Sequence, residues 1–124
     1  MLSHVLVGTN DLERSRKFYD AVLRPLGVGE PMVLPDRFLY ISPEGSFGAI
    51  SPINGQPATV ANGGTVAFKA DSPEKIDAWH AAGVANGGTS CEDPPGVRDM
   101  GAMKLYLTYL HDPDGNKICA VHYM

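Results

Sequence analysis

The stretch HVLVGTNDLERSRKF, from His4 to Phe18, decides how this chain is read, because its pattern returns 61 residues later as TVAFKADSPEKIDAW, from Thr65 to Trp79. Each copy opens on a short apolar run, His4-Val5-Leu6-Val7 and Thr65-Val66-Ala67-Phe68. Each then breaks at a polar cluster, Thr9-Asn10-Asp11 and Asp71-Ser72-Pro73, and continues at helical spacing to an aromatic residue, Phe18 or Trp79. A long period present twice describes two supersecondary units packed as a pseudo-symmetric pair, whereas a solenoid needs three or more repeats. Paired units build a cleft between them, and the residues opening each copy are expected to point into it.

In the first copy, Asn10 or Asp11 is the expected N-cap, and Leu12, Ser15, Phe18, Tyr19, Val22, Leu23 and Leu26 follow on one helical face. Pro25 and Gly27 stop that helix. Strands are expected at 2–8, 30–34, 37–42 and 46–51, with turns at Pro35-Asp36 and Pro43-Glu44-Gly45. The first unit is thus expected over about 1–53, a linker over about 54–63, and the second unit over about 64–124.

The second unit opens with a strand at 65–70, and Ser72 caps a helix that has Pro73 in its first position. Ile76, Trp79, His80 and Val84 form its apolar stripe, and Gly83 with Asn86-Gly87-Gly88 ends it. Pro94-Pro95-Gly96 makes 89–101 read as a loop with at most a short strand beside it. Strands at 103–110 and 117–122 flank Asp112-Pro113-Asp114-Gly115-Asn116, which suits a type I turn with a glycine bulge. Pairing Asp112 with Asn116 across that turn sets Cys119 opposite Tyr109 and puts Leu107 on the same face. The reading is an α+β fold: two βαβββ modules forming a curved mixed sheet around a cavity, helices outside.

Composition bounds the function. The chain has 124 residues, enough for one domain with a real core, and is 44% hydrophobic and 19% charged. With a net charge of −4 and Lys69, Lys75, Lys104 and Lys117 widely scattered, no nucleic-acid partner is expected. No apolar run approaches the roughly 20 residues that span a bilayer, so no membrane partner is expected either. Met1 is followed directly by strand-like residues, so no leader is expected. Cys91, in the Pro-rich segment, and Cys119, in a core strand, do not make a disulfide framework, and a reducing cytoplasm is the expected setting. No nucleotide-binding glycine loop and no Ser-His-Asp pattern is present.

The opening His-Val strand, the helix carrying Phe18-Tyr19, Leu23 and Leu26-Gly27, and the closing Asp-Pro-Asp-Gly-Asn hairpin resemble the vicinal oxygen chelate superfamily. That group includes glyoxalase I, the bleomycin- and fosfomycin-resistance proteins and extradiol dioxygenases. The resemblance runs from Ser3 to His122 and implies a small-molecule ligand, a homodimer, and a cavity formed within one chain or shared between two. Metal-binding members hold one divalent ion (Zn, Fe, Ni or Mn) through His, Glu or Gln on the first and last strands of the copies. The metal binds vicinal oxygens of the substrate as a Lewis acid.

Carried over residue by residue, His4 matches the first ligand position, and alternation turns it, with Leu6 and Gly8, away from the helix. His4 is then a metal ligand or a hydrogen-bonding wall residue. Thr65 stands where the second copy usually opens with His, and a hydroxyl is a hydrogen-bond partner more than a ligand. Cys119 stands where Glu is usual, as a thiolate ligand or a small buried hydrophobe. No His, Glu or Asp occurs near Ala49–Ser51, the remaining position. Two donors fall short of the three that a catalytic zinc uses. The resemblance therefore implies a degraded metal site, with Thr65, Leu107 and Tyr109 lining a pocket for a small organic ligand. The alternative is a metal-dependent lyase, isomerase or dioxygenase with His4 as anchor. Arg98 is expected to meet an anionic substrate or to lie in solvent.

Overall fold

In the computed structural model, which describes residues 1–124, Asp11 caps the first helix, its side chain accepting from the Arg14 backbone N–H at 3.0 Å. Ser72 caps the second in the same way, accepting from the Lys75 N–H at 3.3 Å, with Pro73 in the first turn. The elements run β1 (His4–Gly8), α1 (Leu12–Leu23), a 3-10 turn at Arg24–Leu26, β2 (Met32–Val33), β3 (Arg37–Tyr40) and β4 (Ser46–Ile50). The second unit follows as β5 (Val66–Lys69), α2 (Pro73–Ala85), β6 (Thr89–Asp99), β7 (Lys104–His111) and β8 (Lys117–Tyr123).

Two four-stranded sheets result, in the orders β1-β4-β3-β2 and β5-β8-β7-β6. In each, the opening strand pairs parallel with the last strand of its unit, and the other pairings are antiparallel. The duplication seen in the sequence is therefore a duplication of topology.

Strand alternation sends Val5, Val7, Phe38, Tyr40, Phe47 and Ala49 of the first sheet, and Val66, Phe68, Leu110, Ile118 and Ala120 of the second, into one core with the helices. Phe18, Tyr19 and Trp79 are completely buried in it, as their helical positions predict. The Phe47 and Phe68 rings meet edge to face at 4.9 Å, which joins the two sheets through that core.

Three expectations are corrected. The run 89–101 is not a loop: β6 is an 11-residue edge strand that loses register between Cys91 and Gly96 and regains it as far as Asp99. Pro94-Pro95 falls within the bulge, where a missing N–H breaks no ladder bond. Gly83 does not end α2 but lies inside it, because a Cβ there would stand 2.2 Å from Leu110 Cδ1 and 3.3 Å from Val22 Cγ1. Glycine is required for that close approach, so Gly83 is buried and Val84 is exposed, the reverse of the expected stripe.

The Asp112–Asn116 turn does more than reverse the chain. It closes as expected, with Gly115 N–H donating to Asp112 O at 2.9 Å and Gly115 at φ 93. Its side chains then reach into the first unit. Thr9 donates its hydroxyl to Asp114 Oδ2 at 2.6 Å, Asn10 its backbone N–H to Asp114 Oδ1 at 2.8 Å, and Arg14 its guanidinium to the same oxygen at 2.7 Å. Asn116 donates its side-chain amide to Gly8 O at 2.9 Å. This clasp fixes the end of β1 against the β7–β8 hairpin. No helix is long and apolar enough to cross a membrane.

Candidate functional site

The side of the second sheet turned away from the helices carries the chemistry. Register places Cys91, Tyr109, Cys119 and Ala67 side by side on neighbouring strands, with Gly96, Leu107, Val121 and Lys69 on the next rung. The expected pairing of Tyr109 with Cys119, and Leu107 on their face, is the observed register. Leu107, Cys119 and Val121 form an apolar cluster separate from the main core, with Leu105 and Tyr109 against it.

These three side chains sit on a sheet face with no helix over it, yet they are only 6%, 3% and 7% exposed. Beside them, at the sheet edge, β6 carries its bulge. Between Cys91, which pairs with Tyr109, and Gly96, which pairs with Leu107, four residues of β6 oppose the single residue Thr108. Arg98, on the same face as Leu107, donates from Nη2 to Asp93 O and Pro94 O, each at 3.1 Å, and so ties the bulge to a side chain of that face. Arg98 is thus engaged by the bulge through two exposed hydrogen bonds.

At the other end of the bulge, Glu92 adopts φ 58, the one non-glycine residue of the chain at positive φ. Strict alternation would send its side chain to the helix side; the left-handed backbone turns it back, and Glu92 pairs with the Lys117 ammonium. Lys117 Nζ also lies 4.7 Å from the centre of the Tyr109 ring, a cation–π contact. The hydrogen bond from Lys117 to Glu92 raises the ammonium pKa. Burial pushes the Cys119 thiol up to about 11, and burial also raises Cys91 and Tyr109. At neutral pH the face therefore presents two thiols and a phenol, all protonated, beside one ion pair.

The positions expected to hold metal do not assemble a site. His4 is exposed at the start of β1, paired in register with Ser46 and in contact with Ser3 Oγ at 3.1 Å from its Nδ1. Thr65 is exposed, one residue before β5. Cys119 pairs with Ala67 in the second sheet as Gly48 pairs with Leu6 in the first, so the pseudo-symmetry makes Gly48 the counterpart of Cys119. The expected location near Ala49–Ser51 is shifted, since Ala49 faces the core. At Gly48 a Cβ would stand 2.0 Å from the Phe38 carbonyl oxygen, which closes the position to any side chain. Across the chain, no three His, Cys, Asp or Glu side chains are grouped to hold an ion.

A separate cleft of about 760 Å³ runs between the opening of β1 and β5. Val5, Leu26, Val28, Phe47 and Phe68 are among its walls, with Glu44 and Lys69 also lining it. Glu92, Lys117 and the role of Cys91 escaped the sequence reading. The available signal was Pro94-Pro95 interrupting a run that resumes as Val97-Arg98, the mark of a bulged edge strand.

The chain belongs to the Glyoxalase/Bleomycin resistance protein/Dioxygenase superfamily, whose family model matches residues 1–120. Within it, the chain is similar to a glyoxalase/bleomycin resistance protein from Albidiferax ferrireducens T118, at 63% identity over 97% of both chains and a TM-score of 0.94. It shares the fold alone with a family enzyme from Burkholderia phytofirmans PsJN, at 17% identity over 98% of both chains and a TM-score of 0.74. The same holds for lactoylglutathione lyase from Agrobacterium tumefaciens, at 22% identity over 98% of this chain and 92% of that one, with a TM-score of 0.66. No curated protein matches the sequence.

Proposed function

We propose that this protein binds a small organic ligand on the helix-free face of its second sheet and does so without a metal. The observation that carries this reading is the apolar cluster of Leu107, Cys119 and Val121 with Tyr109, on a face that no helix covers. Apolar walls with a few placed polar groups are what a ligand site needs, and here Tyr109 and Lys117 supply the polar groups. Thr65 stands at the open end of the neighbouring strand β5 and offers a further hydroxyl.

The metal-dependent alternative would rest on His4 and Cys119, and the donor set argues against it. His4 and Cys119 are two donors where a catalytic zinc uses three, and Gly48 leaves no room for a carboxylate. The protein acts as a homodimer in this proposal. Met32 lies on the helix-free side of the first sheet, and Leu34 and Ile41 follow directly on β2 and β3; the three are 44%, 43% and 64% exposed. An exposed apolar set of this kind is a docking surface, and a second copy is the occupant we assign to it.

Elemental analysis of tag-free protein prepared without chelators tests the reading. Less than about a tenth of an equivalent of Zn, Fe, Ni or Mn per chain, before and after incubation with each ion, is the expected result. A full equivalent that His4→Ala abolishes would replace it with the metal-dependent enzyme.

A further inference from the structure

The bulge of β6 is an odd device for an edge strand. Residues 92–95 are held at both ends by charge: Glu92 to Lys117, and the Asp93 and Pro94 carbonyls to Arg98. Both cations belong to the helix-free face itself, since Lys117 and Arg98 lie on the same side as Cys119 and Leu107. Remove the bulge, and what remains is an apolar floor of Leu107, Cys119 and Val121, a Tyr109 ring, and two freed cations. The side chain now standing on Lys117 is a carboxylate, and it reaches that place only through the strained backbone of Glu92.

We infer that the Glu92–Pro95 segment is a self-inhibitory strap, and that Glu92 occupies the subsite of the ligand's own carboxylate on Lys117. The inference rests on the ligand-binding reading above and names the ligand class: an organic acid with an apolar or aromatic body. Such a ligand lays its body against Leu107, Tyr109 and Val121 and displaces Glu92 from the ammonium. Displacement relieves the positive φ at Glu92, so opening recovers part of what the lost ion pair costs. A neutral analogue of the same shape cannot replace Glu92 on Lys117 and leaves the strap shut. Lys117 is 33% and Glu92 49% exposed, which suits a latch that opens on binding.

Cys119 stands two residues from Lys117 on the same face of β8, beside the latch, and its labelling reports the latch's state. On a Cys91→Ser background, labelling of Cys119 by the neutral reagent 4,4′-dithiodipyridine is followed in the otherwise native chain, in Glu92→Gln and in Lys117→Met. Both substitutions are expected to speed labelling about fivefold, and raised ionic strength to speed it in the unsubstituted latch. Binding of 3-phenylpropanoate and of its amide is measured by calorimetry on the same proteins. The acid is expected to bind Glu92→Gln more tightly than the native chain and Lys117→Met no better than the amide. Equal labelling in all three proteins, at low and high salt, overturns the latch whatever binds. Faster labelling with acid and amide bound equally overturns the carboxylate assignment. Faster labelling with neither compound bound sinks the organic-acid assignment, and the ligand-binding reading loses its support, while the latch itself stands.

Discussion

The Tyr19 hydroxyl donates to Asp112 Oδ2 at 2.6 Å, joining the helix of the first unit to the final hairpin of the second across 93 residues of chain. Tyr19 is completely buried and Asp112 is 3% exposed. Asp112 also accepts from the Asp114 and Asn116 backbone N–H groups and from the Asn116 amide, each at 2.9 Å, so no part of the carboxylate is left bare. A buried carboxylate held this way is tolerable only while the whole set is made.

Tyr19→Phe removes one donor and leaves that charge less well solvated. The expected cost is about 1.5–3 kcal/mol of stability, read as a lower urea midpoint with an unchanged denaturant slope. A loss below about 0.5 kcal/mol would show that the clasp does not need its tyrosine.

The same group makes the fold sensitive to alkali. Burial, then the Asp112 charge, raises the Tyr19 pKa well above its ordinary value, and burial with the Asp20 hydrogen bond does the same for Tyr40. A group whose folded pKa is raised contributes its stability below the unfolded value, about 10 for tyrosine, and loses it as pH climbs past that point. Thermal melts from pH 7 to 12 are therefore expected to fall in Tm above about pH 10. Tyr19→Phe should flatten that fall, and an unchanged slope would refute the assignment.

Gly48→Ala tests why the first sheet carries no donor. The added Cβ would press on the Phe38 carbonyl at 2.0 Å, and backbone cannot step aside as a side-chain tip can. A loss of about 3 kcal/mol or more, by chemical denaturation, is expected. Gly48→Glu should fail to fold and to gain a metal; a stable variant that bound zinc would reopen the metal reading.

Thr108 is fully buried on the helix side of β7 with no partner for its hydroxyl. Thr108→Val keeps the shape and removes the unpaired group, so stability should rise by about 1 kcal/mol, or about 4 °C in Tm. A fall would mean that the hydroxyl is bound in solution.

The open face of the first sheet makes a further prediction about assembly. Sedimentation should give a dimer for the native chain, and Met32→Glu with Ile41→Glu should give a monomer. An unaltered dimer would move the contact elsewhere on the molecule.

Much of the fold lay in the sequence because its signals are local. The caps at Asp11 and Ser72, the alternation of Val5 and Val7, and the turn at Asp112–Asn116 each depend on neighbours a few residues away. From that turn alone followed the register that sets Tyr109 opposite Cys119. What tertiary structure alone decided involves groups far apart in the chain. Nothing near Gly83 announces Leu110, nothing near Gly48 announces the Phe38 carbonyl, and nothing near Glu92 announces Lys117. Propensity opposed a strand through Pro94-Pro95, and only the pairing of β6 with β7 on both sides of the bulge overrode it. Local periodicity determines which face a side chain takes; the docking of distant strands determines what it meets there, and the candidate site is made of such meetings.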